Sequence, residues 1–169
     1  MHSFMIVIQI LGLALAFSAL ILILHTDVTN VQQMMVFFLI CIIVQSSGYL
    51  LELGASEPQA SLWAVKFQYL GSCWVVLFFA KFVFSYCGLT PPKWLISGLA
   101  VINMVVFGFA WTNNHHTLFY SAKEFVTEKD GYSHYVFEYG PVYYAFVVFC
   151  CVIPCIMAIC ALLYAIHKQ

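Results

Sequence analysis

The chain contains no arginine, and its charged residues make up 8% of 169 positions, six of them lysines. A nucleic-acid surface needs clustered cations, so this composition excludes one. A soluble domain normally carries about 25% charged residues to cover its core. This chain cannot cover a core that way, being 64% hydrophobic with a mean hydropathy of +0.96. No histidine falls in the middle of an apolar run, which removes the axial ligands a haem bundle would need. No nucleotide loop, Ser-His-Asp set or closely paired intramembrane acid is present, so no catalytic constellation is visible and no cofactor is expected.

What is present is a series of long apolar stretches. Residues 4–24, 34–53, 62–87, 94–111 and 142–166 each approach or exceed the roughly 20 residues that a helix needs to cross about 30 Å of hydrocarbon. The expected fold is an all-α polytopic membrane protein forming one transmembrane domain over residues 1–169, with five spans in an up-down bundle. The first span lacks the basic flank of a secretory signal and reads as retained. Seven cysteines lie in or beside the apolar runs, which argues against a disulfide framework.

Short polar connections punctuate the runs. Asp27 or Thr29 is placed to cap the second helix and Ser61 the third, while Gly88 and Pro91-Pro92 end the third. The exception is residues 112–141, which hold Lys123, Glu124, Glu128, Lys129, Asp130 and Glu138. There Leu118 to Val126 and Tyr132 to Phe137 read as strands of an external β-hairpin around Lys129-Asp130-Gly131, an irregular loop being the plainer alternative. Orientation does not follow from charge: Lys66, Lys123 and Lys129 fall on one side and Lys81, Lys93 and Lys168 on the other.

Polar side chains at membrane depth are costly without a partner, so each is a candidate site. Gln45, Tyr49 and Glu52 share one face of the second helix. Glu52 and Lys66 flank a short connection and suit an ion pair, with Gln68 joining them and Tyr69 at matching depth; ordinary packing or snorkelling to the interface is the competing explanation. Lys81 reads as snorkelling and Asn103 as interhelical glue. A metal at His115-His116 with His134 is disfavoured, because adjacent strand residues point to opposite faces. Cys150-Cys151 with Cys155 and Cys160 read as packing residues.

From the second span onward the motif order resembles the seven-transmembrane sensor region at the N-terminus of bacterial histidine kinases. The resemblance rests on Tyr49-Leu50-Leu51-Glu52-Leu53, Leu62-Trp63-Ala64-Val65-Lys66-Phe67-Gln68-Tyr69-Leu70-Gly71 and Phe84-Ser85-Tyr86-Cys87-Gly88. Asn114-His115-His116 with Leu118-Phe119-Tyr120, then Tyr139-Gly140-Pro141, continue it over about residues 35 to 166. It implies a bacterial inner-membrane protein with its N-terminus outside. It also implies a non-enzymatic sensory module whose output domain is missing, lying in further sequence or in a partner subunit. A small apolar or amphipathic ligand would contact Glu52, Lys66, Gln68, Tyr69, His116, Tyr120 and Tyr144, and the expected partners are membrane lipids, a cytoplasmic signalling module and a second copy of the chain. The rival readings are an accessory subunit of a larger membrane complex and, more weakly, a quinone- or lipid-modifying enzyme.

Overall fold

A computed structural model describes residues 2–26, 29–127 and 133–168. The chain is mostly helical, and five helical segments are long and apolar enough to cross a membrane. They are α1 (His2–Leu24), α2 (Asn30–Leu53), α3 (Pro58–Tyr86), α4 (Lys93–Trp111) and a composite fifth span made of α5 (Pro141–Phe146), a π-helical segment (Val147–Val152) and α6 (Ile153–Lys168). In hydrocarbon a helix is favoured for any apolar sequence, because it satisfies every backbone group within the segment. The protein is therefore a multi-pass membrane protein.

Local chemistry sets the helix ends. Thr29 caps α2 by accepting from the Gln32 N–H at 3.3 Å, while the Gln32 side chain accepts from the Thr29 N–H at 2.8 Å, a reciprocal capping box. Asp27 lies outside the described residues. The expected Ser61 cap is not formed: Pro58 opens α3 one turn earlier, with Glu57 preceding it. Proline suits that first position because it has no N–H to leave unpaired. Ser61 is thereby carried into the helix and fully buried.

Of the described elements, α3 is central, touching α2, α4, the π-helical segment and α6, whereas α1 packs chiefly on α2. The closest approach is between α2 and α3 and depends on two reciprocal glycine seats. A Cβ at Gly48 would meet the Gln68 backbone, its nitrogen at 2.5 Å, and a Cβ at Gly71 would meet Cys41 O and, at 2.6 Å, Gln45 N. Small residues let backbones approach where hydrophobic driving force is absent.

Across the bundle, Asn103 is almost completely buried. Its Nδ2 donates to Cys73 O at 2.6 Å and its Oδ1 accepts from Cys150 Sγ at 2.8 Å, so one side chain ties α3, α4 and the fifth span together. Asn103→Leu is expected to lower the unfolding free energy by roughly 1 kcal/mol, read as a shifted thermal midpoint in nanodiscs. The π-helical segment sits just ahead of Pro154, which has no N–H to give the Cys150 carbonyl. The ladder shifts there, and Ile153 N–H reaches back five residues to Val148 O.

Between α4 and α5, strands β1 (Tyr120–Thr127) and β2 (Ser133–Tyr139) pair antiparallel, with Tyr120 opposite Tyr139 and Thr127 opposite Ser133. The expected Lys129-Asp130-Gly131 turn lies outside the described residues.

Candidate functional site

The residues that follow α4 are held by one asparagine. Asn113 Oδ1 accepts from the backbone N–H of Phe119 at 3.1 Å and of Tyr120 at 2.9 Å, and its Nδ2 donates to Tyr120 O at 3.4 Å. An amide side chain offers a donor and an acceptor like a strand edge, so it can close a loop against the start of β1. His116 bridges the same loop. Its Nδ1 accepts from Leu118 N–H at 3.2 Å, so the ring proton sits on Nε2, 3.1 Å from Thr112 Oγ1. Thr112 passes its own proton to Gly108 O at 2.7 Å.

The closed loop is docked against the beginning of the fifth span. Gly140 N–H donates to Phe119 O at 2.8 Å and Val142 N–H to Leu118 O at 3.0 Å. Any Cβ at Gly140 would collide with the Leu118 carbonyl. This docking sets Phe119 and Tyr120, both buried, into the end of the bundle.

There they meet α3. The Tyr120 hydroxyl donates to the Tyr69 hydroxyl at 2.7 Å. The Tyr69 ring meets Phe119 and Phe146 edge-on, with centroids 5.0 and 5.6 Å away. Tyr120 stacks on Phe137 at 4.1 Å and Tyr139 on Tyr143 at 3.9 Å. Rings therefore run without a break from α3 through both strands to α5, and Phe146 is the last residue before the π-helical segment.

Burial holds the Tyr120 phenol well above the ordinary tyrosine pKa, and the adjacent Tyr69 adds to the effect. A phenol whose folded pKa is raised contributes stability that is fully present below the unfolded value, about 10, and is lost as pH rises above it. The loop is accordingly expected to stay docked through neutral and mildly alkaline solution and to loosen above about pH 10, followed by tyrosine absorbance and amide exchange. Tyr69→Phe and Tyr120→Phe are each expected to cost about 1 kcal/mol. The double variant is expected to be little worse than either, and a thermal double-mutant cycle measures that coupling.

Lys66 stands on the other side of the Trp63-Trp111 pair, with Nζ 5.0 and 5.6 Å from the two ring centroids. It forms no ion pair with Glu52, contrary to the sequence expectation. The reason is helical phase: Gln68 faces α2 across Gly48, and a residue two positions earlier is turned about 200° away. Lys66 thus faces α4, while Glu52, half-buried in the last turn of α2, has no ion pair among the described residues. Trp63 and Trp111 are partly exposed here, as suits indoles at a membrane interface.

Of the seven residues expected to share a site, Tyr69 and Tyr120 touch. His116 and Tyr120 line one cleft of about 360 Å³ together with Asn113, Asn114 and Lys123. Lys66 lies beside Tyr120 along a narrow crevice that is too small for a ligand, about 10 Å³. Gln68 faces α2 instead, and Tyr144 is turned outward, 61% exposed, because its neighbour Tyr143 takes the inward position against Tyr139. Sequence reasoning missed Asn113 and Phe119. The available signal for Asn113 was an asparagine immediately after a helix, a residue type that bonds nearby backbone. Among the described residues, no three His, Cys, Asp or Glu side chains gather as a metal site requires.

A family model described as the N-terminal 7TM region of histidine kinase matches residues 4–169. The chain belongs to that family. Searches of the curated proteins and of the solved structures give no match. Membership of the histidine kinase 7TM region makes this a membrane sensor region, which is not itself the catalytic part of such kinases. It also places the exposed apolar faces of the helices in lipid and gives the region a signalling context.

Proposed function

We propose that the chain is a ligand-responsive sensory module whose loop and strands transmit occupancy to the fifth span. In this reading five spans run up and down through a bacterial inner membrane. The N-terminus is outside, the strands form an external hairpin, and kinase chemistry belongs to a cytoplasmic module beyond this region. The ligand is a small amphipathic molecule contacting Tyr120 and His116 in their shared cleft, with Tyr69 read as the receiver on α3 and Lys66 held outside that cleft over the two indoles. Glu52, Gln68 and Tyr144 stand apart from that contact and are read as modulating or lipid-facing positions.

The observation that carries this reading is the Tyr120-to-Tyr69 hydrogen bond within the ring array that ends at Phe146. A ligand favouring one loop position would shift the rings against α5, and only differential binding to two arrangements drives such a shift. The π-helical segment is suited to absorb it, since its backbone already departs from the α-helical ladder.

Spin labels at Val136 and Ile166, both exposed, with Cys155 and Cys160 replaced by alanine, test the coupling. Pulsed distance measurements in nanodiscs are expected to give two populations whose ratio changes in Tyr120→Phe. A single distance indifferent to that change would overturn the reading. Orientation is checked separately: Lys123→Cys should react with an impermeant maleimide on intact cells.

A further inference from the structure

At the contact of α1, α2 and α3, away from the Tyr69-Tyr120 array, lies an open crevice of about 310 Å³ lined by Gln9, Gln45, Ser46, Tyr49 and Gln68. Gln9, Gln45 and Gln68 each stand about four residues, roughly 6 Å, from the midpoint of their helices. The crevice is thus at membrane depth. Hydrocarbon supplies no hydrogen bonds, so an amide there needs a partner.

Gln9 has one, its Nε2 donating to Ser46 O at 3.2 Å. Among the described residues there is none for the Gln45 and Gln68 amides or the Tyr49 hydroxyl. Two of these groups are rigidly mounted: Gln45 is seated against Gly71 and Gln68 against Gly48, each glutamine lying on the glycine of the opposite helix. Their amides therefore converge from fixed backbones on one small space that is already within the size of ligand pockets.

We infer that this crevice is a binding site for the neutral, hydrogen-bonding head of an amphiphile, whose apolar tail lies along the exposed faces of α1 and α2. Three amides and two hydroxyls offer both donors and acceptors, as a hydroxyl, ester or amide head requires. No lining residue is charged. A carboxylate or phosphate head would enter hydrocarbon without a counter-ion, which is strongly unfavourable. On α1, Met5 lies one turn from Gln9 on the same face and Ile8 is its neighbour, and both are exposed apolar residues. The head reaches the crevice sideways from the bilayer, either as a resident neutral lipid or as a diffusible amphiphile dissolved in it. The site rests on the packing of α1 to α3 and is independent of the loop mechanism proposed above.

The test is photolabelling of the intact chain in phosphatidylglycerol nanodiscs with oleoyl monoacylglycerol carrying a diazirine in its acyl chain. Saturable labelling on α1 to α3 is expected, at least tenfold weaker in Gln45→Leu and Gln68→Leu at unchanged thermal midpoint. Where either variant proves unstable, Gln9→Leu on the sparsely packed α1 replaces it. Competition by unlabelled octanoyl monoacylglycerol added from water points to a diffusible source, and competition by the oleoyl form alone to a resident lipid; both support the site. Labelling that rises linearly with probe, persists in the variants, or is matched by a diazirine fatty acid at pH 8 overturns it. The spin-label ratio is a separate readout, so loss of this site leaves the loop mechanism standing and the reverse.

Discussion

Leucine in place of Gly71 forces α2 away from α3, and the purified protein is expected to unfold at a markedly lower thermal midpoint. Overpacking ordinarily costs about 1–3 kcal/mol because side chains and backbone share the adjustment. Here the added atoms would meet Cys41 O and Gln45 N, which are backbone atoms of a rigid helix and cannot rotate aside. The cost is placed at the top of that range, about 3 kcal/mol or more. Gly48→Leu should behave alike, since its Cβ would meet the Gln68 backbone from the opposite direction. Gly98 and Gly108 provide the control. Nothing stands within 4 Å of a Cβ at either, so leucine there should change stability by no more than about 0.5 kcal/mol. Thermal midpoints of the four variants in nanodiscs decide the matter, and equal midpoints throughout would show that the glycine seats do not control the contact.

Asn113→Leu should release the loop while leaving the helices folded. It removes the acceptor for two backbone N–H groups, those of Phe119 and Tyr120, in a buried position. An orphaned buried donor costs about 1–3 kcal/mol. For the pair that amounts to roughly 2–6 kcal/mol, or about 30-fold to 10⁴-fold more frequent local opening at 1.4 kcal/mol per decade. Hydrogen exchange at the Phe119 and Tyr120 amides should quicken by that factor, with exchange in α2 and α3 unchanged. Asn113→Asp keeps the oxygen that accepts both N–H groups but turns a second oxygen on Tyr120 O in a buried position, so an effect smaller than that of leucine is expected. Exchange rates that rise equally in both variants would mean that the amide acceptor is not what holds the loop.

These two positions differ in how visible they were beforehand. Gly71 stands inside the motif that carries the family resemblance, yet nothing local to it says which helix it meets. Asn113 carries a turn-forming side chain, but its partners are six and seven residues away and depend on how the chain returns. Asn103 was readable as interhelical glue, because a lone amide in an apolar span has few other ways to be satisfied. Glu52 with Lys66 was misjudged: nearness along the chain said nothing about helical phase, and the Trp63-Trp111 pair drew the lysine to α4. Tyr144 stands outside the ring array for a related reason, since adjacent helix residues are turned about 100° apart and Tyr143 takes the place in the stack.

Taken alone, the sequence determined that this protein is a set of membrane-spanning helices. Length and apolarity suffice for that, since in lipid the helix is the way a single segment satisfies its own backbone. It also carried the family relationship in the order of its short motifs. The tertiary structure decided which side chains share a space: Tyr120 with Tyr69, Lys66 with two indoles, and Gln9 with Gln45 and Gln68. The physical reason is that in nearly uniform apolar helices the sequence does not mark a buried face. Small seats such as Gly48 and Gly71 then select the rotation of each helix, and they act only once the opposing helix is in place.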